Sequence, residues 1–509
     1  MNPGGGSAPS APPPKSLEPE RPSRDGPLPR AAAHWPPWVA AGATVLAAVI
    51  RLRHLGVQPL WLDEYYSALL AARPASIIIG NPDGEAPLHG LLLHAVTLVG
   101  GASDAWLRLP SVVAGTLAVP VLYLVGRALD DRPVAALAAL LLAVHPLAVW
   151  YSQEARVYSL LALCGLASTL ALASVLRDGR RGAAMLYALL AGVGFGLHYY
   201  FVFVLAAHAC MAAWDALRTP QHRSLWAATA LASAAAMAVW APAFVADAGS
   251  QASQDVASRF SWFALPYSGL TLVGGLSLGP PLRALHPSVR YGGGALAAVV
   301  PHLPSTVAAF AVLAGLLALA ATRPWDRRRV VTWLLAATPV LGAWLASAVL
   351  VGFRARYVLP ALPFVVLLVA GTIRTRWLPL SVVLIGAFMA LELRALAQID
   401  APDYAREDTR AAAMWVHARQ AAGPVLLLGE GAEPFARYAD PHDDVRVLER
   451  AELPELSAVS ELFLVSSRPW TIDPEDRVRR ALEADFSVRE EAAFAGVDVR
   501  RYIRRAAGG

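Results

Sequence analysis

From Trp38 to Pro402 the chain is a near-continuous succession of apolar stretches, each close to bilayer-spanning length and separated from the next by a short polar break. A spanning helix takes about 20 predominantly apolar residues. In lipid only a helix or a closed barrel satisfies its own backbone donors and acceptors. A chain that repeats such helical stretches has one fold class open to it, a multispan α-helical integral membrane protein. Spans are expected near 38–54, 110–128, 133–150, 157–176, 183–198, 199–217, 225–246, 303–321, 330–351, 357–373 and 377–396, eleven in all. Composition agrees. Of 509 residues 56% are apolar and 16% charged, and the mean hydropathy is +0.46, which leaves too little polar surface to coat a soluble body. Cys164 and Cys210 both lie inside apolar runs, so neither a disulfide framework nor a cysteine zinc site is available.

The net charge of +5 comes almost wholly from arginines set in small groups between apolar runs, with Lys15 the only lysine. Scattered groups of this kind report topology rather than nucleic-acid binding. Residues 1–37, rich in Pro, Gly, Ala and Ser, read as a disordered tail. The segment 87–101 decides the parity, because it is apolar but only 15 residues long and carries His89 and His94. If the tail is cytoplasmic and 87–101 lies along the membrane surface, the breaks at 127–132, 177–181, 218–223, 323–329 and 374–376 all fall inside, as the positive-inside rule requires. If 87–101 crossed, every one of these would be exported. It is therefore expected to be a juxtamembrane helix.

The same parity gathers the 55–109 loop, the 151–156 break, the 247–302 loop, the 352–357 break and everything after 397 on the outer face. Residues 401–509 change character: β-like runs at 424–428, 445–448, 461–465 and 497–503 alternate with helix-like ones, which suggests a small soluble α/β domain outside. In the first loop Asp63 and Glu64 sit at the membrane boundary among Trp61, Tyr65 and Tyr66. The plain alternative makes Asp63 a helix N-cap and the rings an interfacial belt. Further on, Glu85 and His89 flank a Pro-started helix. In YSQEARVYSL, Glu154 and Arg156 are two apart, so they do not share a helix face and each is available to another partner. Arg354 and Arg356 stand at the outer end of a span, against the positive-inside bias, where planar bidentate donors suit a phosphate.

Four of these stretches resemble a known family. LDEYYSALLA, EAPLHGLLLHAVTLVGG with the span that follows it, HPLAVWYSQEARVYSL and RARYVLPALP, in that order, are similar to bacterial family 39-type glycosyltransferases. These belong to the membrane-embedded GT-C superfamily, with the protein O-mannosyltransferases and the aminoarabinose transferase of lipid A. The resemblance covers about 38–400 and is densest over 58–160. It implies an enzyme, mannosyltransferase-like, that takes a hexose or pentose from a polyprenyl-phosphate-linked donor to an acceptor hydroxyl at the extracytoplasmic face, with inversion. By motif, Asp63 corresponds to the family's catalytic acid with Glu64 its neighbour, Arg156 and Tyr158 to the Gln-Glu-Ala-Arg-x-Tyr element, and Arg356 and Tyr357 to the Arg-Tyr element. Glu85 and His89 stand where the family often reads His-Pro-Pro-Leu-Tyr, a departure from the pattern.

The expected chemistry uses Asp63 as base, with Arg354, Arg356, Tyr357 and Arg156 on the donor phosphate. Glu85, His89, Glu154 and Tyr158 are expected to meet substrate. A divalent metal (Mg or Mn) held by Asp63, Glu64, Glu85 and His89 is an open alternative to arginine-only charge stabilisation. Expected partners are the lipid-linked donor, a glycan, lipid or protein acceptor, and the bilayer of a bacterial plasma membrane, with no nucleic acid. The rival functions are a lipid-linked saccharide transporter or flippase, and a glycan-polymer ligase. A transporter would place its charges near the midplane, often in repeated halves, whereas here the acids cluster at one face and no repeat is visible.

Overall fold

In a computed structural model of the chain, residues 35–80, 86–251, 262, 264–281, 283–285, 295–348, 353–419 and 423–505 are described. Nearly all of the 1–37 tail, and Glu85, lie outside these. The first half is helical: α1 (Trp35–Leu52), α2 (Leu62–Ala71), α3 (Ala75–Ile79), α4 (Pro87–Gly100), α5 (Asp104–Leu129), α6 (Arg132–Val144), α7 (Pro146–Ser152), α8 (Tyr158–Asp178), α9 (Arg181–Leu197), α10 (Val202–Arg218), α11 (Arg223–Ala238), α12 (Ala241–Gln251) and α13 (Ala264–Gly274). After them come α14 (Leu303–Ala321), α15 (Arg327–Ala346), α16 (Leu362–Gly371) and α17 (Leu378–Ala397).

Every expected span overlaps a described helix. Among the described residues, six helices are long and apolar enough to cross on their own, and seven if the bent pair α6–α7 is one span. α1, α9 and α16 are apolar but shorter, and the 225–246 stretch is divided between α11 and α12. Glycine and alanine at the contacts let the helices approach closely: a Cβ on Gly126 would stand 2.8 Å from that of Ala135, and one on Gly192 2.7 Å from that of Ala236. The expected juxtamembrane piece is α4, whose 14 residues extend about 21 Å against a hydrocarbon core of about 30 Å. It packs on α2 and α3, with Gly90 set against Leu70 and Ile78. The 247–302 stretch, read as a loop, contains α13, whose face from Leu270 to Gly274 is buried.

The polar breaks sort into two sets by their contacts. At one end of the bundle Arg323 pairs with Asp130 at 2.6 Å, Arg374 with Asp131 at 2.7 Å and Arg327 with Asp215 at 3.0 Å. At the other, Arg356 pairs with Asp63, Gln153 donates to Arg53 O at 2.8 Å, and Gln58 to Asp400 at 2.7 Å.

The break in α6–α7 has a local cause. His145 precedes Pro146 and is driven to extended backbone (φ −59°, ψ 121°), and the two helices meet at 57°. The carbonyls orphaned there are taken up by Arg51 of α1, fully buried, which donates to Ala143 O at 2.8 Å and Leu142 O at 3.3 Å and to Ser152 Oγ at 3.1 Å. Gly115 makes room for this knot, since a Cβ there would lie 2.0 Å from Ser152 Oγ.

Past the last span, α18 (Thr409–His417) and α19 (Arg477–Asp485) accompany a five-stranded sheet of β1 (Val425–Leu428), β2 (Val445–Leu448), β3 (Glu461–Ser466), β4 (Phe486–Phe494) and β5 (Val497–Arg504), in the order β2-β1-β3-β5-β4. β1 is parallel to both its neighbours, and β4 and β5 close an antiparallel hairpin. Four strands coincide with the β-like runs. β4 was not expected, because FSVREEAAF is an edge strand whose charged and alanine-rich pattern carries little β preference.

Arg51→Ala orphans buried carbonyls at about 1–3 kcal/mol each. The purified variant in detergent should melt several degrees below wild type. An unchanged melting temperature would show that the knot carries no stability.

Candidate active site

The loop between α1 and α2 is fixed by one ion pair. Glu64 lies in the first turn of α2, where a carboxylate is favoured, and is fully buried. Arg108 of α5 grips it from two nitrogens, Nε to Oε1 at 2.8 Å and Nη2 to Oε2 at 2.7 Å. The remaining guanidinium hydrogens go to Leu55 O, Gln58 O and Pro59 O at 2.8–2.9 Å. The N–H of Ala155 donates to Glu64 Oε1 at 2.7 Å, which brings the 151–156 break onto the loop. Burial opposes ionisation of Glu64, but Arg108, Arg406 and these hydrogen bonds outweigh it and keep the carboxyl below its ordinary range. Glu64 Oε2 also accepts from Trp61 N at 3.4 Å, so the capping contact falls to Glu64, and Trp61 rather than Asp63 is the N-cap.

Asp63 is thereby turned outward. Its carboxylate pairs with Arg356, and both side chains are about one-fifth exposed (22% and 19%). Arg156 supports the same turn, donating to Asp63 O at 3.2 Å and Ser67 Oγ at 2.8 Å. Burial alone would raise the Asp63 carboxyl; Arg356, then Arg156 and more distantly Arg468, outweigh it and hold the group below its ordinary value. The Arg356 guanidinium lies 5.5 Å from the centre of the Tyr158 ring and 6.0 Å from that of Trp61. Tyr357, the next residue, stacks into a ring cluster with Tyr200 at 4.8 Å, His198 at 5.2 Å and Tyr158 at 6.5 Å.

Glu154 and Arg156 diverge, as their spacing requires. Glu154 is buried; its Oε1 accepts from Trp150 Nε1 at 2.7 Å and stands 3.5 Å from Arg406 Nη2. Its Oε2 has no hydrogen-bond partner among the described residues. Burial raises this carboxyl most, Arg406 pulls it down, and Glu64 and Asp63 push it up again, leaving it at about 7.

Of the residues expected at the site, Asp63, Glu64, Glu154, Arg156, Tyr158, Arg356 and Tyr357 come together. Arg354 is exposed at the start of the turn that carries Arg356. His89 is buried on α4. Glu85 lies outside the described residues. Glu64 is wholly engaged by Arg108 and Ala155, Asp63 is paired with Arg356, and no group of three His, Cys, Asp or Glu side chains converges among the described residues. Sequence reading passed over Arg108, although its place at the start of a span, on the side expected to be outer, is the same against-the-bias signal that singled out Arg354 and Arg356. It also missed Arg406, which no local pattern marks.

A carboxyl whose folded value is raised contributes stability at low pH and loses it as pH rises from its ordinary value of about 4.5 through about 7, to a total near 3 kcal/mol. Glu154→Gln should therefore raise the melting temperature more at pH 8.5 than at pH 5.5. An equal shift at both pH values would remove Glu154 from the account.

Residues 84–272 match the family described as dolichyl-phosphate-mannose-protein mannosyltransferase. The structure is similar to that of ArnT from Cupriavidus metallidurans, both in the apo state (TM-score 0.55) and bound to undecaprenyl phosphate (TM-score 0.54). Each is 12% identical over 92% of this chain and 98% of the other. No curated protein sequence matches. The matched family segment and the apolar helices make this chain a multi-pass membrane glycosyltransferase, with the fold of the ArnT structures.

Proposed function

We propose that the chain transfers a sugar from a polyprenyl-phosphate-linked donor to an acceptor hydroxyl, with inversion, at the bundle end that holds Asp63, and that this end is extracytoplasmic in a bacterial plasma membrane. The observation that carries the reading is the Asp63–Arg356 pair, part-exposed and walled by Tyr158 and Trp61. The related ArnT binds undecaprenyl phosphate, as the description of its structure states. The acceptor oxygen attacks the anomeric carbon as the bond from that carbon to the phosphate oxygen breaks. The hydroxyl proton passes to the Asp63 carboxylate, and the electron pair leaves on polyprenyl phosphate. Arg356 offers the departing phosphate a cation in a poorly hydrated site, where such stabilisation is strongest.

The pairing also gives Arg356 a second use. While it grips Asp63, the carboxylate is a poor base. A donor phosphate competes for the same guanidinium, and as it takes over, Asp63 regains basicity next to the acceptor. Arg156 keeps hold of the Asp63 backbone throughout, so the carboxylate does not drift. Glu64 is assigned to positioning rather than to chemistry, because its oxygens are consumed by Arg108 and the Ala155 N–H.

Asp63→Asn should lower transfer from polyprenyl-phosphate sugars by about 10²- to 10⁴-fold, the usual worth of a general base, without loss of fold. Arg356→Ala should weaken undecaprenyl phosphate binding as well as turnover. Flipping of the lipid-linked donor, followed separately in vesicles, should be unaffected by Asp63→Asn. If flipping is lost and there is no transfer to lose, the protein is a transporter.

A further inference from the structure

We infer that Arg406, which lies beyond the last span, is a positioning residue of this active site, and that the sheet segment is bound into the site through it. The inference rests on the transferase reading above. Three carboxylates, Asp63, Glu64 and Glu154, come together at this bundle end. Two have their own arginine from the span region: Arg356 for Asp63 and Arg108 for Glu64. Glu154 does not. Its hydrogen-bond donor is the neutral indole of Trp150, and the one cation in ion-pair contact with it among the described residues is Arg406, at 3.5 Å. Arg406 is itself buried, 7% exposed. Its guanidinium donates to Gln153 O at 3.1 Å, stands 3.7 Å from Glu64 Oε2, and lies 5.0 Å from the centre of the Trp150 ring. A cation so placed does not reach solvent or a lipid headgroup. Its task is to compensate Glu154 behind Asp63.

The backbone that carries Arg406 is pinned from both sides. Its N–H donates to Gln58 Oε1 at 3.2 Å, in the first outer loop, and the N–H of Asp408 donates to Ala495 O at 2.8 Å, in the β4–β5 turn. Between them Glu407, also buried, accepts from Arg468 Nε at 2.9 Å and Nη2 at 2.6 Å. Arg468 follows β3, and its charge is felt at Asp63. Adjacent residues thus face opposite ways, Arg406 into the acid cluster and Glu407 into the sheet segment. The docking is reinforced nearby by Asp104 of α5, which accepts from Arg410 at 2.5 Å, Arg437 at 3.1 Å and Tyr438 at 2.6 Å. Removing the Arg406 charge leaves Glu154 uncompensated beside Asp63, so that either Glu154 takes up a proton or the two acids move apart. Donor phosphate binding, which falls to Arg356, is untouched.

The test uses the full chain in nanodiscs. Undecaprenyl phosphate is the binding probe, and the donor is whichever of a set of polyprenyl-phosphate sugars the wild type consumes. Arg406→Gln keeps a donor for Gln153 O but removes the charge. It should lower kcat at least tenfold while donor KM and undecaprenyl phosphate affinity stay within threefold. Arg406→Lys should recover a substantial part of the lost kcat. A kcat within twofold of wild type for Arg406→Gln, or no recovery by Lys, overturns the inference. If Arg406→Gln does not fold, the double variant Arg406→Gln/Glu154→Gln decides: restored folding supports the pairing, and continued failure overturns it. A wild type that consumes no polyprenyl-phosphate sugar overturns the transferase reading instead.

Discussion

The bundle end that holds Asp63 depends on the pair between Glu64 and Arg108. Neither charge reaches water, so neither is stable there without the other, and removing one partner of such a pair costs about 3–5 kcal/mol. What the pair provides is register. Arg108 spends its five hydrogens on Glu64 and three successive stations of the loop that precedes α2, so the loop is wound around one guanidinium. Because Asp63 is the residue before Glu64, its direction is set once Glu64 is held. The position of the site follows from a neighbour that does no chemistry.

How much of this could be read from the chain differs by kind of signal. Spans were legible because lipid imposes one pattern, length plus apolarity, on every helix that crosses it. Their number was not, because the pattern does not say where a helix bends or stops. The His145–Pro146 break and the division of 225–246 at Val239–Trp240 are local events inside uniformly apolar runs. The β strands at 425–428 and 461–466 were visible as short buried runs, whereas β4 hid behind charges that are tolerable only because it lies at an edge.

The candidate site was legible where charge broke a rule. Asp63, Arg156 and Arg356 stood out because ionisable groups beside apolar spans are expensive unless they serve a purpose. The partners that separate Asp63 from Glu64 appear only in the fold, where the first meets the part-exposed Arg356 and the second is buried against Arg108. Arg406 was hidden for a different reason. In a polar stretch an arginine costs nothing to display, and only the fold reveals that this one is buried against Glu154 and Trp150. Long-range pairing of this kind leaves no trace in local composition.

The link between the last span and the sheet carries a mechanical implication. α17 ends at Ala397, and within a few residues the chain is anchored at Asp400, Arg406 and Asp408. A tether that short has no slack. The sheet segment is therefore held at the Asp63 end of the bundle from its first residues onward.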